Sequence, residues 1–398
     1  MQPTLVSASS HPMAHAEPLS VRADRAAAVA ALHADAVDAG ARFPEEAFAA
    51  LRAENLLGIM VPRALGGEEA GTGDVVDICY RLGRACAATG MIFAMHQVKA
   101  ACVVRHGVGS PWHEGFMARM VQHQLLLASS TTEGGGGGNV RSSEAPVEHS
   151  AGRIMLVRNA SVISYGAQAD AVVTTARRAS DATASDQVLI VFDKSDYSLE
   201  QTGGWDTLGM RGTCSAGFTL KAVGDAAQIM PVPYETIHAQ SMVPAAHLMW
   251  SGVWTGIAAG AVERARKYMR KAARGGEAPP GLPHFTKALA NLRSLRAIVA
   301  AALRRYESMK DDPKALSAID FQTAINLLKV DSSELAVETV MNALRSAGLS
   351  GYRNDSEVSI GRHLRDVLSS PIMINNDRIL ANLSTSTILS DVPSSIRD

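Results

Sequence analysis

Residues 129–143 read SSTTEGGGGGNVRSS, hydroxyl side chains running into five consecutive glycines. Glycine lets backbone amides approach a ligand closely, and Ser or Thr hydroxyls hydrogen-bond heteroaromatic rings or phosphates. The same composition also suits a flexible surface loop. No Lys follows as a P-loop requires, and no GxGxxG stands at the strand-to-helix turn of a βαβ unit, so ATPase and Rossmann nicotinamide sites both lack their mechanical parts. The four cysteines, Cys79, Cys86, Cys102 and Cys214, show no CxxC and no His-rich spacing. That pattern predicts no metal site, no disulfide framework and a reducing, cytoplasmic location.

The elements that must position this loop follow from composition. A chain of 398 residues has room for two or three domains at roughly 100 to 200 residues each. No stretch approaches the ~18 uncharged apolar residues of a membrane helix, so no membrane span is expected. Lys and Arg number 38 against 39 Asp and Glu, without the basic excess that holds nucleic acid by its phosphates, so nucleic acid is excluded as a partner. Residues 1–19 lack a basic start before an apolar core and read as a disordered leader. Residues 20–122 read as a helical domain, with apolar positions at spacings of three and four such as Phe48 and Leu51, Pro44 in a first turn, and Asp74 as the expected N-cap of a helix. Over 123–240 the chain shifts to short β-branched runs at 125–132, 154–157, 170–176, 188–193 and 217–221, which predict a small antiparallel β domain. From 241 to 398 long helices return, exemplified by Phe321, Ile325 and Leu328 followed by Leu335, Val340 and Leu344. Paired prolines and glycines at 273–283 break two of them. The expected fold class is therefore α+β: an N-terminal helical domain, a central β domain and a C-terminal four-helix bundle. The crevice between bundle and β domain is the natural ligand site.

Several stretches in this order resemble the acyl-CoA dehydrogenase flavoproteins, and the likeness runs along nearly the whole chain. ASSTTEGGGGGNV (128–140) stands where that family has a strand followed by a Thr-Glu-Pro-Gly-Ala-Gly-Ser loop facing the flavin, with glycines here in place of the Pro and Ser. SVISYGAQADAVV (161–173) is similar to the family's Trp-Ile-Thr-Asn-Gly segment, with Val162 where a flavin-stacking Trp usually lies. WDTLGMRGTCS (205–215) is the closest motif match. WTGIAAGAVERARKY (254–268) resembles the Gly-Ile-Ala helix that opens the C-terminal bundle, and SAGLSGYRNDSEVSIGRHLRD (346–366) a Gly-Gly-x-Gly-Tyr turn before an Arg-Asp helix. The resemblance implies non-covalent FAD, with Thr131, Thr132, Gly137, Gly138, Ile163 and Ser164 near the ring and Arg211 a further cofactor contact. Gly348, Gly351 and Tyr352 would reach the adenine diphosphate from a neighbouring subunit of a homodimer or homotetramer. Ordinary helix termination also accounts for those glycines, and a surface ion pair for Arg211.

One departure bears on the reaction. The family removes the α proton of an acyl thioester with a Glu while hydride passes to the flavin. That Glu usually stands some nine residues beyond the Arg-Asp pair, here Arg365 and Asp366, where this chain has Ile374 or Asn375. A second family position, near the helix beginning around Pro244, offers only His247. The candidate substitutes are His247, Asp377 and His96, the last on the helix resembling the one that lines the family's substrate cavity. Each also has a bland reading: core histidines for His247 and His96, a surface pair with Arg378 for Asp377. Related flavin monooxygenases of the same fold also lack the Glu. There reduced flavin from a separate reductase meets oxygen, and an aromatic, sulfur or amine substrate is oxidised. The resemblance thus implies first an FAD-dependent dehydrogenase of a CoA or acyl-carrier-protein thioester, passing electrons to an acceptor. The alternatives are a two-component monooxygenase fed by a flavin reductase, or a non-catalytic flavin- or acyl-carrier-binding homologue.

Overall fold

In the computed structural model, which describes residues 17–133, 140–275, 278–389 and 394–395, the N-terminal unit is built from five helices. The first, α1 (Leu19–Gly40), is Ala-rich and buries Ala23, Ala26, Ala30, Ala34 and Val37, one stripe at spacings of three and four. Pro44 precedes α2 (Glu45–Ala53), whose first-turn Glu45 and Glu46 complement the positive end of the helix. In α3 (Thr72–Ala85), Asp74 lies within the first turn instead of at the cap, and its carboxylate accepts the Gly71 N–H at 3.0 Å. Asp74 therefore supplies the return half of a capping arrangement, a role with the same sequence signature. The core helix α4 (Ala87–Gly107) comes nearer to a membrane span than composition suggests. Among the described residues it alone is long and apolar enough, and 83% of its most apolar window is buried inside the protein. The last of the five, α5 (Pro111–His123), leads into the strands.

The β-branched runs become β1 (Leu127–Ser130), β3 (Arg153–Ala160), β4 (Ala171–Arg177), β5 (Gln187–Asp193) and β7 (Phe218–Asp225), joined by the short β2 (Glu148–Ser150) and β6 (Tyr197–Gln201). Two sheets form, ordered β1-β4-β5 and β2-β3-β7-β6. Burial alternates strictly along β3 and β7, which have one wet face, whereas β4 and β5 are buried along nearly their whole length. One pair departs from the all-antiparallel expectation: β1 runs parallel to β4, with Leu127 opposite Ala171. Between them the chain passes through the glycine loop and two strands of the other sheet, the long crossover that parallel neighbours require.

The C-terminal unit starts with α6 (Tyr234–Ile237), continues through a π turn at His238–Met242, and enters α7 (Val243–Ala272). Beyond the 273–283 break lie α8 (Leu282–Met309), α9 (Pro313–Ser317), α10 (Ile319–Tyr352), α11 (Gly361–Val367) and α12 (Asn376–Leu389). Helix α7 is central and packs on α3, α4, α8 and α10. Its approach to α3 depends on missing side chains, since a Cβ on Gly256 would lie 2.2 Å from the Tyr80 carbonyl oxygen. Near its end α10 kinks at Gly348, with φ 55° and ψ −138°.

Candidate active site

A cavity of about 460 Å³ opens where the three units meet. The β side contributes Ser129, Thr131, Thr132, Val162 and Ser164, and α4 contributes Met95, Val98 and Lys99. Tyr234, His238, Met242, His247 and Trp250 come from α6, the π turn and α7. Helix α10 and the 373–383 segment close the remaining wall with Gln322, Asn326, Ile374, Arg378 and Asn382. A π turn carries two lining side chains here, consistent with the tendency of such turns to occur at functional sites.

Local sequence explains the β-side wall. Strand β1 ends at Ser130 and delivers Thr131 and Thr132 directly to the cavity. Glu133 then anchors both ends of the glycine loop. Its carboxylate accepts the N–H of Glu144 at 2.5 Å and of Ala145 at 3.1 Å, and lies 3.4 Å from the buried Arg158 guanidinium. Ser164 is the first of a file of hydroxyls: its Oγ is 2.7 Å from Ser215 Oγ, which is 2.8 Å from Thr213 Oγ1, and Thr213 donates to the Met210 carbonyl at 2.9 Å. With Thr213 donating there, the protons run in one direction and Ser164 Oγ is left as an acceptor.

Of the residues proposed from sequence, the structure brings Thr131, Thr132, Ser164 and His247 together around this cavity. Gly137 and Gly138 lie outside the described residues. Ile163 belongs to the core, its N–H donating to the Ala216 carbonyl at 2.8 Å, because its neighbours Val162 and Ser164 take the cavity side. Arg211 is not among the lining residues, and the motif around it docks elements. Met210 N–H donates to Asp366 Oδ1 at 2.7 Å, Arg365 donates to the Leu208 carbonyl at 3.1 Å and pairs with Asp38, and a Cβ on Gly209 would meet the Arg365 backbone. Gly348, Gly351 and Tyr352 stand at the far end of α10, away from this chain's cavity. Gly348 makes the kink, Gly351 is buried, and Tyr352 is 73% exposed.

Two of the three candidate bases are corrected. His96 is fully buried beside α4's core partners, its Nε2 facing the Leu57 carbonyl at 2.8 Å and its Nδ1 accepting the Leu127 N–H at 3.1 Å. Neither nitrogen is left for a substrate. Asp377 is exposed on α12, and its neighbours Arg378 and Ile379 take the positions facing the cavity. His247 does face it. Its Nδ1 is 3.0 Å from the Ile325 carbonyl, which can only accept, so the neutral ring carries its proton there and keeps Nε2 as an acceptor. Burial pushes this imidazole down to about 3.

Sequence reading missed Lys99, Tyr234, His238 and Trp250, all lining residues. The signal for Lys99 was present, because Met95, Val98, Lys99 and Cys102 fall at i, i+3, i+4 and i+7 on one face of α4. Among the described residues no carboxylate lines the cavity, whereas Lys99, Arg141 and Arg378 do. No cluster of three His, Cys, Asp or Glu side chains able to hold a metal occurs among them either.

Comparison with known proteins agrees with this geometry. The chain matches the family model described as acyl-CoA dehydrogenase, N-terminal domain, over residues 20–113, and that described as acyl-CoA dehydrogenase, C-terminal domain, over residues 239–385. It is similar to the probable FMNH2-dependent monooxygenase SfnC of Pseudomonas putida, 23% identical over 337 residues that cover 80% of this chain and 81% of that protein. Its fold is similar to that of FMN-bound TdsC from Paenibacillus sp. A11-2, with a TM-score of 0.82 and 18% identity, covering 94% of this chain and 98% of that one. Methanesulfinate monooxygenase MsuC from Pseudomonas fluorescens is equally similar in fold, with a TM-score of 0.82 and 20% identity, covering 95% and 98% of the two chains. With helical units matched at both ends, and two small sheets seated between them around one cavity, the chain belongs to the acyl-CoA dehydrogenase family.

Proposed function

We propose that this chain is the oxygenase of a two-component flavin-dependent monooxygenase, taking reduced FMN from a separate reductase. The observation that carries the reading is the cavity lining: hydroxyls and an indole N–H suited to a flavin ring, and among the described residues no carboxylate to abstract an α proton. The lining fits a flavin on its own chemistry. Trp250 Nε1 is buried without a partner, and Ser164, at the end of its hydroxyl file, offers the acceptor that an N–H of a reduced ring needs. Val162 adds an apolar, partly exposed side chain to the same wall.

When bound, reduced flavin would activate molecular oxygen, one atom going to the substrate and the other leaving as water. The protein's share is positioning and exclusion of water. Thr131, Thr132 and Ser164 would orient the ring edge, and the apolar walls from α4 and α7 would keep bulk water out. His247 would hold an unprotonated acceptor at Nε2 throughout the neutral range. A nitrogen held near 3 is a poor match for abstracting an α proton at neutral pH, because a general base works best with a pKa near the operating pH. Thioester dehydrogenation with FAD is therefore the weaker reading. FMN is preferred to FAD because two of the similar proteins named above, SfnC and TdsC, are described with FMNH2 or FMN. Adding FMN, NADH and an unrelated flavin reductase to the purified chain should produce oxygenated product from small thioethers or sulfinates. Product formation without the chain, or none with it across such a panel, would argue against the proposal.

A further inference from the structure

The end of the cavity between α4 and the π turn holds a cation that no anion neutralises among the described residues. Lys99 is 2% exposed, and its Nζ donates to Met242 Sδ at 3.1 Å, the one acceptor the structure gives it. A thioether is a weak acceptor, and an ammonium has three protons to place. In the same cavity wall, the buried Tyr234 hydroxyl has no hydrogen-bond partner among the described residues, and Lys99 and Tyr234 both lie within electrostatic reach of Cys102 and Arg158. The nearby groups do not compensate. Arg158 is already engaged with Glu133 and with the Thr175 carbonyl, burial keeps Cys102 protonated as a thiol, and burial keeps His238 neutral by pushing it down to about 4. An unpaired charge in such surroundings is costly unless a ligand completes it.

We propose that Lys99 and Tyr234 form a subsite for a single oxyanion head group on the substrate, a carboxylate, sulfinate or sulfonate carried by a small apolar body. One cation and one phenol O–H match one negative charge and its lone pairs, and Met95, Val98 and Val243 line the apolar approach. Only the reaction that follows binding rests on the monooxygenase reading.

The test is calorimetric titration of the full chain, with and without FMN, using hexanoate, hexanesulfonate and the neutral hexanamide. The subsite predicts that the wild type binds at least one of the two anions about tenfold or more tighter than the amide. The hexanoate and hexanesulfonate arms decide between carboxylate and sulfur oxyanions. Lys99→Met should bring the anions and the amide together in affinity, and Tyr234→Phe should weaken the preferred anion severalfold while leaving the amide unchanged. Equal wild-type affinity for anions and amide, or an anion preference that survives Lys99→Met, would overturn the subsite. If Lys99→Met does not fold by circular dichroism, the wild-type comparison and Tyr234→Phe decide the question. FMNH2-dependent oxidation of a neutral thioether is scored separately. Its success without an anion preference sinks the subsite alone, and its failure with the preference intact sinks the monooxygenase reading alone.

Discussion

His247 and Lys99 face one cavity, and burial acts on both by disfavouring charge. For Lys99 the ammonium is pushed down to about 8 from 10.5. Between those values the unfolded chain binds more protons than the folded one, so the stability of the wild type rises with pH across that window. Lys99→Met should therefore raise stability by about 3 kcal/mol below pH 8, since each pH unit between the two values is worth about 1.4 kcal/mol, and the gain should fade toward pH 10.5. Urea titrations at pH 7 and pH 10 read this directly, and a destabilised variant at pH 7 would contradict it. For His247, removing the acceptor with His247→Ala should lower product formation by up to about tenfold, the worth of one hydrogen bond, with FMN affinity retained in fluorescence titrations. At this scale the sequence was legible where residue type and order coincide, as in Thr131, Thr132 and Ser164. It misled at His96 and Asp377, because whether a ring nitrogen is taken by a backbone carbonyl, or which way a helix turns its carboxylate, depends on packing partners distant in the chain.

The elements themselves were largely legible, since helix and strand periodicities are local, and the β-branched runs became strands at nearly the expected residues. What stayed hidden was direction and docking. The parallel β1–β4 pair depends on the path of the intervening chain, and WDTLGMRGTCS, the closest motif match, clasps α11 to the β unit through Met210 and Leu208. Glu133 is the corresponding case in the glycine loop, where a residue within a ligand motif is engaged with backbone and a buried cation. Glu133→Ala strands Arg158, which is fully buried, so a loss of about 3–5 kcal/mol is expected, together with weakened FMN binding as the loop ends come free. A denaturation midpoint unchanged from wild type would contradict the anchoring role. Between helices, Gly256→Ala places a Cβ against a backbone oxygen that cannot swing away. A cost of about 1–3 kcal/mol or more is expected, measurable as a lower urea midpoint at unchanged m-value.

On the scale of the whole molecule, the composition shifts were enough to anticipate the α, β, α order and the motif resemblance to anticipate the family, while the proposed reaction rests on the cavity lining. Burial lowers six histidines from their ordinary value: His96, His106 and His238 to about 4, His247 to about 3, His363 well below the usual range, and His113 in the same direction. Each is neutral in the folded state where the unfolded chain takes up a proton, so stability is full above pH 6.5 and is lost as pH falls. The loss should be about 1.4 kcal/mol per pH unit for each fully buried histidine, and less for the half-buried His106, where solvent screens the charge. Thermal melts should therefore show a steep fall in Tm from pH 6.5 to pH 5, and a flat profile would contradict the buried, neutral assignments. The central claim is that this cavity serves oxygen transfer with reduced flavin and not thioester dehydrogenation. Its most direct test uses one anaerobic preparation of FMN-loaded protein divided between two arms. In the first, a panel of acyl-CoAs is added and the flavin absorbance followed; in the second, the flavin is reduced chemically, and isotopically labelled oxygen is admitted with small thioethers and sulfinates. Oxygen transfer predicts an unchanged flavin spectrum in the first arm and one labelled oxygen atom per product molecule in the second. Bleaching of the flavin by any acyl-CoA, with no label appearing in product, would contradict it.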